Sequence, residues 1–152
     1  MKTRFFPAAA LLAIAILVGG AAPILAHCQI PCGIYGDERV MSEMEEHIQT
    51  IEKGMNEINE LSKDPAANAN QLTRWIMNKD THAQDIQQIT LDYFLAQRVK
   101  LDEAGKESYD KKLALLHQVI VYAMKCKQTT DLSNVEALRK SLHDFKHLYF
   151  GE

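Results

Sequence analysis

The chain has 152 residues, 24% of them charged, and a formal net charge of −3. That length suits one domain with a sizeable core. The mildly acidic balance, without a basic stripe, argues against nucleic acid as a partner. Three cysteines are an odd number for an exported chain: Cys28 and Cys32 stand together, and Cys126 is remote.

The first residues read as a secretory leader. Lys2 and Arg4 precede an apolar run from Ala8 to Val18, which Gly19-Gly20 and Pro23 interrupt. Ile24-Leu25-Ala26 then offers the small residue that signal peptidase accepts before its cut. The apolar run is too short to span a bilayer comfortably, and without an Arg-Arg pair it suits the general secretory route. This predicts residues 1–26 as a cleaved signal peptide, with signal peptidase as the maturing partner and a periplasmic or extracellular destination. His27 becomes the first residue of the mature protein.

The stretch that follows, His27-Cys28-Gln29-Ile30-Pro31-Cys32-Gly33-Ile34-Tyr35, concentrates metal-capable atoms. After cleavage a free amine, an imidazole, the Cys28 amide and two thiols lie close together in the chain. Amine and amidate nitrogens with two thiolates favour a planar set, and the His27 ring can reach an axial position. Square-planar preference points to Ni(II) or Cu(II) rather than tetrahedral zinc. Pro31 bends the chain so that Cys32 returns toward Cys28. In an oxidising compartment a Cys28–Cys32 disulfide competes with the metal.

Downstream, Gly36-Asp37-Glu38 reads as a turn into a helix, with acids at its positive end. Met44, Ile48, Ile51, Met55, Ile58 and Leu61 form an apolar stripe at alternating spacings of four and three. Asp64-Pro65 ends that helix, and Ala66 to Asn70 reads as a short polar link. A second stripe runs Leu72, Trp75/Ile76, Lys79, Ala83, Ile86, Ile89/Thr90, Tyr93 and Gln97, with Asp80-Thr81 as a weak point. Gly105 marks a break. Tyr109, Leu113, Leu116, Ile120 and Ala123 make the third stripe, which fades near Lys127. Ser133-Asn134-Val135-Glu136 has capping-box spacing and opens a fourth, with Val135, Leu138, Leu142, Phe145 and Tyr149; Gly151 is a stop. No segment alternates with period two. The predicted fold is all-α: an antiparallel up-down four-helix bundle over 37–152, preceded by a metal-binding hook at 27–36.

His-Cys-x-x-Pro-Cys-Gly-x-Tyr at a processed amino terminus, ahead of four helices, resembles the nickel-containing superoxide dismutases. A looser likeness extends through Asp92-Tyr93-Phe94. The resemblance implies one nickel ion per subunit, bound by His27, Cys28 and Cys32. It implies Tyr35 as a gate and hydrogen-bond donor over the open face, and Glu43 as the carboxylate that orients the His27 ring. It also implies a homohexamer, superoxide as substrate, and its conversion to dioxygen and hydrogen peroxide through a Ni(II)/Ni(III) cycle. Gln29 stands where the family usually has an aspartate. The family's bracing arginine has two candidate positions, His82 by ungapped matching and Arg74. An acidic chain repels superoxide at long range, so steering requires a local cationic patch. The alternative reading is an exported nickel- or copper-binding or metal-delivery protein without turnover.

The other candidates are weaker. His143 and His147 stand four apart with no acidic companion motif and read as surface residues; His47, His82 and His117 read as helix-face residues. Cys126 reads as a buried thiol. No Glu-x-x-His for a di-iron centre and no Cys-x-x-Cys-His for covalent haem occurs.

Overall fold

The computed structural model describes residues 36–151. The leader and the hook residues His27, Cys28, Cys32 and Tyr35 lie outside that range, and so does Glu152. Among the described residues every regular element is helical: α1 (Asp37–Leu61), α2 (Pro65–Ile89), a π-helical continuation (Thr90–Arg98), a short 3₁₀ turn (Leu101–Glu103), α3 (Glu107–Gln128) and α4 (Leu132–Phe150). Each long helix packs on its neighbours in sequence, and α1 also packs on α4. With such short connections consecutive helices must reverse direction, so the closed cycle is the expected up-down four-helix bundle. No helix among the described residues is long and apolar enough to cross a membrane.

α1 starts at Gly36, whose φ of 86° suits a residue without a side chain. Its inward face is the expected stripe, with Val40, Met41, Met44, Ile48, Ile51, Met55 and Ile58 buried. Gly54 lies where α1 meets α2 most closely, and a Cβ placed there would sit 3.2 Å from Cβ of Lys79.

The link expected over Ala66 to Asn70 is instead helical. Asp64 accepts a hydrogen bond from the Ala67 amide at 3.2 Å, and Pro65 occupies the first turn of α2. Proline ends one helix by excluding the residue before it, yet its fixed φ suits the start of the next. Asp80-Thr81 causes no break, since α2 runs through both.

α2 ends in a wider turn. The Val99 amide donates to the Phe94 carbonyl at 2.8 Å, five residues back. Thr90, Tyr93 and Phe94 are all buried in this segment, so two adjacent aromatics face the core where a regular stripe would admit one. Phe94 sits edge-on against Tyr93, Phe145 and Tyr149, with ring centroids 5.0, 5.0 and 5.7 Å apart.

α4 is capped by Asp131, which accepts from the Ser133 amide at 3.0 Å, and not by Ser133 itself. Its stop at Gly151, φ 74°, is as expected. Lys79 is nearly fully buried and donates to the last carbonyls of α3, those of Cys126 at 2.5 Å and Lys127 at 3.0 Å, and to Asp80 at 2.7 Å. The lysine thereby supplies what the free end of α3 lacks.

Candidate metal centre

The hook joins the bundle at Gly36, so the groups around the start of α1 hold its root. Asp37, in the first turn, is the hub. It accepts from the Tyr93 hydroxyl, from Tyr149 at 2.7 Å and from Arg98 at 2.6 Å. Arg98 also donates to the Tyr93 hydroxyl at 3.1 Å and lies 5.0 Å from the centre of that ring. The π-turn and the last turns of α4 therefore converge on the residue two places after Tyr35. Burial works against ionising Asp37, but hydrogen bonds from Tyr93, Tyr149 and Arg98, with the Arg98 charge, outweigh it and hold the carboxyl below its ordinary range. Burial, and then the same carboxylate, raise the Tyr93 and Tyr149 hydroxyls, which stay protonated and donating.

Beside this hub opens a cleft of about 600 Å³. Arg98, Lys100, Lys106 and Lys112 line it and outnumber Asp37, Asp102 and Glu103. Lys112 is spoken for by Glu103 at 2.9 Å.

Of the residues that the sequence proposes for the site, only Glu43 lies within the described range. It is partly exposed on α1 and accepts from Arg39, one turn earlier, at 3.0 Å. The two candidate counterparts of the bracing arginine separate. Arg74 is exposed and borders a different hollow with Gln71, Trp75 and Asn78. His82 faces α1 and meets His47, one turn beyond Glu43, at 2.6 Å between their Nδ1 atoms. Cys126 is a free, fully buried thiol, pushed by burial up to about 11 despite the opposing charge of Lys79, which makes it a poor metal ligand. His143 and His147 are exposed, 3.0 Å apart between Nε2 atoms.

Sequence reasoning missed the Asp37–Tyr93–Arg98–Tyr149 cluster. Tyr93 and Tyr149 lay on predicted apolar stripes, and Asp37 was read only as an acid at a helix start. The usable signal was the Asp92-Tyr93-Phe94 likeness, which falls on the π-turn.

Among the described residues the chain is an all-helical bundle, and the motif His27-Cys28-Gln29-Ile30-Pro31-Cys32-Gly33-Ile34-Tyr35 stands ahead of it in the sequence. The family model for nickel-containing superoxide dismutase matches residues 22–152, and the chain belongs to that family. It is therefore a nickel-dependent oxidoreductase that converts superoxide to dioxygen and hydrogen peroxide. No curated protein and no solved structure is significantly similar to the chain.

Proposed function

We propose that residues 27–36 form the nickel hook, with His27, Cys28 and Cys32 as ligands, after removal of a signal peptide ending at Ala26. The donor set fits the metal. Thiolate sulfur and amidate nitrogen suit a planar Ni(II) ion and stabilise a higher oxidation state, as hard oxygen donors would not. Nickel, when bound there, supplies a one-electron couple that accepts an electron from one superoxide and returns it to a second.

The chain's own residues do the rest. The amine and amide of the first two residues, together with the two sulfurs, would hold the ion. Glu43 orients the His27 ring, which would take its carboxylate from Arg39. Tyr35 would donate a hydrogen bond to the entering anion. The Asp37 hub, clamped from two elements, fixes the point from which the hook extends. Lys100 and Lys106, on the cleft beside that point, supply the local positive field that an acidic chain needs to draw in superoxide. The reaction consumes two protons for each peroxide formed, delivered by water beside Tyr35. By family likeness the mature protein is a homohexamer with one ion per subunit, and the leader at residues 1–26 makes it an exported one.

The observation that supports this reading is that the family match begins ahead of His27 and continues through all four helices, and so covers the motif and the bundle together. The decisive experiment is intact mass, terminal sequencing and metal analysis of the exported protein. The expected result is a chain beginning at His27 with about one nickel per subunit. One extra residue ahead of His27 should abolish turnover while leaving helicity intact. A terminally blocked or extended chain that still consumes superoxide would overturn the assignment. Sedimentation of the mature protein tests the hexamer.

A further inference from the structure

We propose that His47, His82 and Asp85 form a second metal site, between α1 and α2 and separate from the hook, for a borderline divalent cation of the cobalt–nickel–zinc group. One ligand atom from each residue lies within 4.8 Å of the other two, and all three side chains are partly buried. His47 comes from α1; His82 and Asp85, three apart on α2, present neighbouring faces of one turn. Such a site bridges two helices that are already packed.

Three features point to a cation. The two Nδ1 atoms face each other at 2.6 Å, with ring planes tilted by 53°. Two imidazoles so placed can share one proton at most, so at least one nitrogen presents a lone pair to the gap. Burial, then the neighbouring His47, lower the proton affinity of His82 against the opposing pull of Asp85, which favours the neutral ligand form. Asp85, finally, has no hydrogen bond or ion pair among the described residues. A partly buried carboxylate without a cation beside two facing imidazoles is a charge set completed by a divalent ion.

The donor set of two imidazoles and one carboxylate suits borderline metals and leaves further positions for water. A tetrahedral ion at about 2.0–2.1 Å from each nitrogen needs them about 3.4 Å apart. The rings must therefore open by less than about 1 Å, within reach of side-chain rotation. Binding moves the shared proton from Nδ1 to Nε2 of the same ring through solvent, so that both rings stay neutral, and changes no oxidation state.

The exposed pair His143 and His147 serves as the control. Its neighbour Asp144 is engaged by Lys140 at 2.6 Å, and among the described residues it is His47, His82 and Asp85 whose three ligand atoms all lie within 4.8 Å of one another.

The test uses the full mature chain with the hook disabled by Cys28→Ser, Cys32→Ser and one added residue ahead of His27. The probe is Co(II), then Zn(II), measured by equilibrium dialysis and by Co(II) ligand-field absorption. The expected result is about one cobalt per chain, without sulfur-to-metal charge-transfer bands. His82→Ala or Asp85→Asn should weaken binding at least about tenfold, and a His143→Ala/His147→Ala pair should leave it unchanged. Imidazole ¹⁵N resonances of the same hook-disabled chain, histidines intact, give a reading that no folding defect can mimic: Zn(II) should move Nδ1 of His47 and of His82 together. Binding that survives His82→Ala, that moves only His27 or His143, or that never reaches stoichiometry overturns the proposal. The outcome is independent of whether the hook holds nickel.

Discussion

Two polar clusters hang from α1 about 15 Å apart along its axis, and they are built on opposite plans. At the start of the helix, Asp37 receives hydrogen bonds from two tyrosines and an arginine drawn from the π-turn and α4. At His47, two imidazoles face each other beside a carboxylate that has no cation among the described residues. The first cluster turns its hydrogen bonds inward onto Asp37 and holds. The second retains capacity and can bind. A polar group below the surface is costly unless satisfied, so the contrast separates a clamp from a receptor.

The largest expected effect of breaking the clamp is at its centre. Asp37→Ala leaves the Arg98 charge and two hydroxyls without their shared acceptor. It should cost about 2–3 kcal/mol of stability by denaturant unfolding. Because the folded carboxyl titrates below its unfolded value of about 3.9, its contribution is fully present above that pH. The contribution is lost as pH falls through the folded value. Stability measured between neutral and acid pH should therefore fall less steeply in Asp37→Ala than in the parent. If the carboxylate also fixes the hook's root, nickel content per chain should drop in this variant at a pH where the bundle is still fully folded. An unchanged acid profile with undiminished nickel would reduce Asp37 to an ordinary helix-start acid.

A smaller effect is expected at the rim. Tyr149→Phe removes one donor to Asp37 while keeping the ring that packs on Phe94 and Phe145. The loss should be about 1 kcal/mol, visible as a lower denaturant midpoint with an unchanged slope. A loss as large as that of Asp37→Ala would mean that Tyr149, and not the carboxylate, organises the cluster.

How much of this was legible beforehand depends on the kind of signal. The apolar stripes of α1 and α4 are period effects, and Met44, Ile48, Ile51, Met55, Leu138, Leu142 and Phe145 are buried as that spacing requires. Gly151 ended its helix for a local reason, a left-handed backbone. Pro65 misled because one residue carries two signals, a stop before it and a start at it. Ser133 misled because an aspartate two places earlier made the same kind of cap. Phe94 escaped the stripe because a five-residue hydrogen bond resets the helical register, which no fixed period anticipates. The proposed hook was legible because its candidate donors, His27, Cys28 and Cys32, stand within six residues of one another. The Asp37 and His47 clusters were not, since their members are 56 and 35 residues apart and meet only through tertiary packing.

The finest test of the contrast lies at the receptor. If the His47 cluster is there to bind, then removing a member from the metal-free protein should cost little. His82→Gln, compared with its parent in the hook-disabled chain after chelator treatment, should change stability by about 0.5 kcal/mol or less. Zinc at about one hundred times its dissociation constant should then stabilise the parent by about 2.7 kcal/mol and the variant by almost nothing. The two measurements have to move in this order, because a ligand stabilises only the state that presents its site. A metal-free loss of about 2 kcal/mol or more would reverse the comparison: the imidazole pair would then be a second brace between α1 and α2, holding the helices through its shared proton and leaving no capacity for an ion.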